Sequence, residues 1–380
     1  MSALVQTFET KRAVALLVEP LESKLRATRE CIHSFDPLSD RRWNAFLEQN
    51  PNASVFHSVP WLDALRRTYG YEVVAYTTNG RSEDLENAVV FCRINSWLTG
   101  RRMVSLPFSD HCAPLMDEQS GDNFLDRIVQ EELAHRHSYI EVRPLTQFPA
   151  GTSSFYRIKI EYVFHQLDLT PALETLFCGF HQSSIQRKIR KAEKHGLLYR
   201  DGRSEALLNQ FYTLFEQTRK RHHIPPPPRE WFLNLMRSFG DGLKIRVAYK
   251  ADRVAAAMIT LQHKDTFVYK YGASDPQFHR FGAMHLLYWE AIQEAKRLGL
   301  RRFDFGRTNA DQQGLITFKN RWGATQSTLT YARYSLSGPS THFFDLYATR
   351  WKSKVAKCAV SCLPYALVSK VGQMLYRHIA

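Results

Sequence analysis

The chain has 380 residues, 44% of them hydrophobic and 23% charged. That is an ordinary globular composition, which excludes gross disorder and, at roughly 100–200 residues per domain, allows two or three domains. Lysine and arginine outnumber aspartate and glutamate by 51 to 37, a formal charge of +14, which favours anionic partners without choosing among nucleic acid, a phosphorylated substrate and an acidic membrane surface.

Residues 1–34 read as a helical extension. The apolar run Ala13–Val18 is short and meets Glu19, Pro20 and Glu22 at once, so a signal peptide is not expected. No stretch reaches the roughly 18 uninterrupted apolar residues of a spanning helix. The protein is therefore expected in the cytoplasm, or peripherally on the inner face of the plasma membrane. A first α/β unit is predicted over 35–160. Asp40 caps a helix through Arg42–Leu47, and a second helix runs from Pro60 to Thr68. Strands follow at Tyr71–Thr77 and Asn87–Ile94, joined through an Asn79-Gly80 turn, and at Met103–Leu106. A helix over Asn123–His135 and a strand over Tyr139–Arg143 complete the unit.

A second unit is predicted over 161–336. It opens with a strand at Phe164–Leu169 and a basic helix at Ser183–His195, stopped by Gly196. The helix Ala206–Lys220 places Leu207, Leu208, Phe211, Leu214 and Phe215 on one face. Pro225–Pro228 enforces an extended break before a helix at Glu230–Phe239. Three strands (Leu243–Tyr249, Arg253–Leu261 and Thr266–Tyr271), a long helix (Ala283–Leu298) and a strand (Arg301–Phe305) follow. The first unit shows a fainter version of this order, which implies internal duplication. The tail, 337–380, has no acidic residue after Asp345 and reads as basic amphipathic helices broken at Pro364. Such helices suit an anionic membrane interface, or else dock on the body of the protein.

The six cysteines contain no CxxC pair, so no metal site is expected and free thiols in a reducing compartment are the simplest reading. Phe303-Asp304-Phe305-Gly306-Arg307-Thr308, then Gly314, Phe318-Lys319, Trp322-Gly323-Ala324 and Tyr331, resemble the C-terminal signature of Fem-type proteins. These are the peptidoglycan-bridge aminoacyltransferases (FemAB-like) and their acetyltransferase-like relatives in exopolysaccharide systems, and the latter branch is the nearer likeness. Ser105–Phe108 with Asp110, and Ile140–Arg143, resemble the matching elements of the first half. The resemblance implies an α/β (α+β) fold of tandem GNAT-like acyltransferase domains, each a mixed, mostly antiparallel sheet flanked by helices. It also implies transfer of an acyl or aminoacyl group to an amine or hydroxyl of a cell-envelope precursor. The donor would be acyl-CoA or aminoacyl-tRNA, with no permanently bound cofactor. A phosphorylated or lipid-linked glycan precursor, and not DNA, would be the acceptor.

Acyl transfer requires proton removal from the nucleophile, stabilisation of an oxyanion and alignment of the reactants. Asp304 alternates with Phe303 and Phe305 and so faces away from them. It is read as a base or orienting carboxylate, or as the ion-pair partner of Arg302 or Arg307. Lys319 is read as holding a phosphate or an oxyanion, and Arg307 as a bidentate phosphate contact. Tyr269 and Tyr271 are expected on one strand face and Lys270 on the other, with Tyr271 a candidate acid. Trp322, Asp110 and Arg143 enter as substrate contacts through the resemblance. Arg187, Arg190, Lys191 and Lys194 share a helix face and are read either as contacts to tRNA or precursor phosphates or as a solvated surface. GNAT enzymes that bind CoA seat its pyrophosphate at the turn before the crossover helix. Here that turn carries His279, Arg280, Gly282 and Ala283 without the usual glycine-rich spacing. Cys112, beside His111, is read as structural rather than nucleophilic. The competing reading is a noncatalytic RNA- or membrane-binding protein on a decayed GNAT fold.

Overall fold

The computed structural model describes residues 31–97, 100–116, 118–135, 137–145, 156–336 and 376–378. Residues 1–30 of the expected N-terminal helical extension and nearly all of the amphipathic tail lie outside the described residues, and the end of that extension, His33 and Ser34, is strand rather than helix because it pairs with Thr77 and Tyr76. In chain order the first half contains β1 (His33–Phe35), α1 (Arg42–Gln49), α2 (Val59–Tyr69), β2 (Glu72–Thr77), β3 (Val89–Ser96), β4 (Gly100–Val104), α3 (Glu118–Ala134) and β5 (Tyr139–Val142). The long β6 (Tyr156–Asp168) leads into α4 (Leu173–Gly179), α5 (Arg187–Lys194), β7 (Leu198–Gly202), α6 (Glu205–Arg221) and α7 (Arg229–Phe239). Then come β8 (Leu243–Lys250), β9 (Arg253–His263), β10 (Thr266–Ser274), α8 (Ala283–Arg297), β11 (Arg302–Asn309), α9 (Gln313–Asn320) and β12 (Thr325–Ser335).

The strands form one twelve-stranded sheet in the order β1-β2-β3-β4-β5-β12-β6-β11-β10-β9-β8-β7. Read from either end the pattern is the same. Four strands pair antiparallel, a crossover helix leads to a parallel partner, and an antiparallel strand follows. The two central strands, β6 and β12, pair antiparallel over the whole of β12 and over β6 from Tyr156 to Gln166. The chain therefore exchanges strands. β6 follows the first half yet pairs with β11, and β12 follows the second half yet returns to β5. This is a mixed, mostly antiparallel tandem GNAT-like fold, and the expected division at 160/161 falls inside β6.

Apolar periodicity places the helices on the two faces of the sheet. On one face α2 of the first half meets α7 of the second, with Trp61 and Trp231 edge to face at 5.2 Å. Asn234 donates to the Thr68 hydroxyl at 3.0 Å across the same seam. On the opposite face α4, α5 and α8 share one apolar cluster and α3 covers another. The sequence reading lacks β1, α4, β7, α9 and β12. The first four are short, and β7 is a half-exposed polar edge with little apolar alternation. Among the described residues no helix is long and apolar enough to cross a membrane. At Tyr376–His378 the tail is docked on the body. Tyr71 donates to the Arg377 carbonyl at 3.0 Å, Arg102 donates to the His378 carbonyl at 2.7 Å, and Tyr376 donates to the Pro225 carbonyl at 3.0 Å.

Gly282 sets the junction between α5 and α8. Its φ is +83°, and a Cβ there would lie 2.5 Å from the Lys188 carbonyl oxygen. A left-handed non-glycine residue costs about 1–3 kcal/mol before any clash is counted. Gly282→Ala is expected to destabilise the full chain by at least that much in urea unfolding. An unchanged midpoint would mean that α5 does not pack against this turn.

Candidate active site

β10 and β11 pair in parallel only over Thr266–Val268 and Arg302–Asp304. Beyond that point each strand carries an irregularity, between Tyr269 and Tyr271 on β10 and between Asp304 and Arg307 on β11. The strands stay paired to their outer neighbours and so part from one another. Gly306, at φ +72°, makes the turn in β11. Into the wedge reaches Asp110, from the loop after β4; a Cβ on Gly306 would lie 3.2 Å from the Asp110 Oδ2. The β10 bulge overturns one expectation. Because Lys270 is an extra residue, Tyr269 and Tyr271 do not share a face. Tyr269 stacks near Tyr288 of α8 at 4.9 Å, whereas Tyr271 packs on Phe232 of α7 at 5.0 Å.

Charged groups converge on the wedge from both faces. The Asp110 Oδ2 lies 2.8 Å from the Lys270 Nζ, and its Oδ1 lies 3.8 Å from the Arg307 Nε. Burial works to raise the Asp110 pKa, yet Lys270 and then Arg307 hold it below the usual carboxylate range. Burial lowers the Lys270 pKa, and Asp110 opposes that. The Lys270 ammonium also lies over the rings of Phe56 and Trp61, at 4.9 and 5.5 Å. The Arg307 guanidinium sits 4.3 Å over the ring of Tyr162. Asp304 pairs with neither arginine. Arg302 turns to Asp265 at 2.6 Å, while Asp304 accepts from the Gly306 N–H at 2.6 Å and lies 3.3 Å from the His111 Nε2. Lys319 arrives from α9 and donates to the Gly306 carbonyl at 2.7 Å. Burial pushes its pKa down to about 8, with Asp110 and Asp304 pulling it back up.

The Asp110 loop is held from the first half. Leu106 and Phe108 have φ of 59° and 61°, a strained conformation for non-glycine residues. Arg143 stabilises it by donating to the Leu106 carbonyl at 3.0 Å while bonding Glu141 at 2.8 Å. Burial works to raise the Glu141 pKa, but Arg143 and Arg333 hold it at about 2. Tyr331 donates to the Asp110 carbonyl at 2.5 Å. Arg143 is thus placed to position the loop. Cys112 is buried, its Sγ 3.3 Å from the His57 Nε2, and burial pushes its thiol pKa up.

The other residues singled out in the sequence scatter. Tyr271 accepts a bond from the Trp231 indole at 2.8 Å, and burial raises its pKa. Trp322 is fully buried in the second-half core, 5.0 Å from the ring of Phe180. Arg190 lies 5.3 Å over Phe177. Lys191 stands beside it on α5, half-buried. Arg187 lines a cavity of about 490 Å³ with Ser183, Ser184, Lys188, His285 and Arg321. Next to that cavity, the turn before α8 has three of its N–H groups committed, while the first turn of α8 has no side-chain cap. Gln277 donates to the Asp275 carboxylate at 2.9 Å, Phe278 to the Asp275 carbonyl at 3.0 Å and Gly282 to the His279 carbonyl at 3.3 Å. His279 bonds Ser274 at 2.9 Å, Arg280 lies over Phe281 at 4.7 Å, and Ala283 is buried at the start of α8. The turn itself offers few free N–H groups to a pyrophosphate, whereas the adjoining basic cavity offers cations and hydroxyls. Sequence reasoning missed Lys270 and His111 as site residues. A lone lysine within the apolar strand Val268–Tyr271 was the available signal for the first.

Residues 180–319 match the acetyltransferase (GNAT) domain family. The fold is similar to that of FemX, with a TM-score of 0.60, 15% identity, and coverage of 78% of this chain and 96% of that one. It is also similar to L-PGS from Bacillus licheniformis, with a TM-score of 0.55, 14% identity, and coverage of 82% and 96%. Among curated proteins none matches the chain in sequence. The chain carries a GNAT acyltransferase domain within a Fem-type, GNAT-like fold.

Removing one partner of a buried ion pair costs about 3–5 kcal/mol, because the other charge stays buried alone. Asp110→Ala is expected to cost that much in urea unfolding, and adding Lys270→Met should restore much of the loss. A cost under about 1 kcal/mol for the single variant would mean that Lys270 finds water or another partner.

Proposed function

We propose that this GNAT-domain protein moves an acyl or aminoacyl group to an amine or hydroxyl of a cell-envelope precursor of the exopolysaccharide or peptidoglycan type. The observation that carries this reading is Lys319, a buried ammonium with a pKa near 8, aimed at the wedge beside Asp304 and Asp110. A cation in a water-poor site is worth most where negative charge develops, as on the oxyanion of an acyl-transfer intermediate. Asp304 serves the acceptor side and Arg307 lies across the wedge as a second cation. The halves 35–160 and 161–336 act as tandem lobes, the second supplying Asp304, Arg307 and Lys319 and the first supplying the Asp110 loop.

Acyl-CoA or aminoacyl-tRNA would be the donor, its phosphates held by Arg187, Lys188 and Arg321 in the basic cavity. The shared fold with FemX and L-PGS supports an envelope acceptor and the aminoacyl-tRNA alternative. The remaining tail basicity supports peripheral attachment to an anionic membrane. One observation favours the noncatalytic reading on the same fold, namely the three committed N–H groups of Gln277, Phe278 and Gly282 in the turn before α8.

With labelled acyl-CoAs and charged tRNA offered against a precursor panel, Lys319→Ala is expected to lower kcat by about 10²–10³-fold. Because the protonated lysine is the active form, wild-type turnover should fall as pH rises through about 8. That alkaline limb should vanish in Lys319→Ala. Absence of transfer from either donor class would sink the enzyme reading. Cellular function that survives Lys319→Ala and Asp304→Ala but not charge reversal at Arg190 and Lys191 would establish the noncatalytic one.

A further inference from the structure

The sheet face opposite Phe303 and Phe305 carries a groove of about 990 Å³ over β6, β11 and β12. Gln166, Asp168, Thr325, Ser327 and Arg302 supply hydrogen-bonding groups along it, and Phe164 supplies an aromatic edge. Hydroxyls, an amide and charged planar groups beside a ring suit a polyhydroxylated ligand better than an apolar chain. The groove shares Leu145, Gln166, Asp265 and Arg302 with a smaller cavity of about 70 Å³, whose wall includes His111 and Asp304. The groove thus leads toward the wedge from the side opposite the basic cavity.

His111 is built as an oriented base. Its ring is gripped edge to face by Phe56 at 5.1 Å and Phe164 at 5.5 Å. Its Nε2 lies 3.3 Å from the Asp304 Oδ2. The other Asp304 oxygen is pinned by the Gly306 N–H at 2.6 Å, so this carboxylate is fixed in place. A carboxylate facing Nε2 selects the tautomer protonated there and leaves Nδ1 basic. Among the described residues Nδ1 has no hydrogen-bond partner. Asp304 is 2% exposed and His111 6%.

We propose that His111, oriented by Asp304, is the proton acceptor for the nucleophile, and that a saccharide acceptor reaches it through the β6–β11–β12 groove. This rests on the acyl-transfer reading above. The acceptor oxygen or nitrogen forms a bond to the donor's acyl carbon and releases its proton to Nδ1. The carbonyl electron pair moves onto oxygen, facing Lys319. Collapse breaks the bond to the CoA sulfur or the tRNA ribose oxygen, and the imidazolium returns its proton to that leaving group. No further reactant is needed. The charged and titratable groups around His111 and its cavity are Asp110 on its own loop, Asp304 and Arg302 on β11, Lys270 on β10, Lys319 on α9, His263 on β9, Lys264 and Asp265 in the turn after it, and His57. Burial pushes the pKa values of His57 and His263 down to about 4, which keeps both neutral near pH 7.

The test measures kcat/KM for acceptor against pH with the full chain and saturating donor. Amino sugars and free oligosaccharides are compared with a short lysine peptide. Wild type should lose activity toward acid pH through a single ionisation, because protonation removes the base. His111→Gln should abolish that limb and lower the rate by about 10²–10⁴-fold. Donor-induced thermal shift should persist, showing that the variant folds. Ser327→Trp should raise the saccharide KM by more than it lowers kcat. A wild-type profile without an acid limb overturns the proposal without reference to any variant. So does a His111→Gln enzyme that keeps both rate and limb, and preference for the peptide overturns the saccharide assignment. Wild type inactive with every donor fails the underlying acyl-transfer reading instead.

Discussion

The insertion of Asp110 between β10 and β11 is the contact on which the site depends. Parallel pairing of these strands ends at Val268 and Asp304, and an open wedge in the middle of a sheet would leave backbone groups of both strands without partners. The wedge is filled from the other half of the molecule. Lys270 and Arg307 face the Asp110 carboxylate, one from each strand, and Tyr331 of β12 holds its carbonyl. One aspartate therefore ties the first half to three strands of the second. Its own loop is held in a strained shape by Arg143, so the first half acts on the site through backbone position.

A buried ion pair is not in itself a site, and a second one in the same molecule shows the difference. Arg246 of β8 is fully buried and pairs with Glu294 of α8, which Lys244 also contacts at 2.6 Å. That network is closed, with Thr260 and Tyr199 taking further arginine donors. Around the wedge the charges are unequal to their partners. Asp110 faces two cations, Lys319 bonds only carbonyl oxygens, and Asp304 has a loose bond to a histidine at a cavity wall. Groups with unused capacity at an accessible cavity can respond to a reacting molecule, whereas a closed network mainly specifies structure.

Much of the secondary structure was legible because its periodicity is local. The Leu208, Phe211, Leu214 and Phe215 stripe of α6 and the meander β8–β10 needed no distant information. The strand exchange did not show, since β6 and β12 pair across more than 150 residues and neither carries a signal for which half it joins. Asp304, Lys319, Arg307 and Asp110 were found through motif resemblance, and they do converge. The bulge at Lys270 was invisible, because strict alternation is the default for a strand and one extra residue inverts every face after it. His111 was passed over for a related reason. Only the tertiary fold brings Asp304, 193 positions away, to its ring.

The duplication also explains why one wedge and not two keeps its charged groups open. The last parallel pair of the first half is Val104 with Glu141, and that of the second is Val268 with Asp304, so Glu141 and Asp304 are structural counterparts. Each is followed by an arginine, Arg143 two residues on and Arg307 three residues on. In the first half Arg143 folds back on Glu141 at 2.8 Å, and the neighbouring loop closes the gap through bonds from Ser105 to Glu141 and from Cys112 to Arg143. In the second half the added Gly306 turns the chain, directing Arg307 toward Asp110. Its N–H holds Asp304 for His111 instead. A single glycine thus separates a carboxylate spent on architecture from one left at a cavity wall.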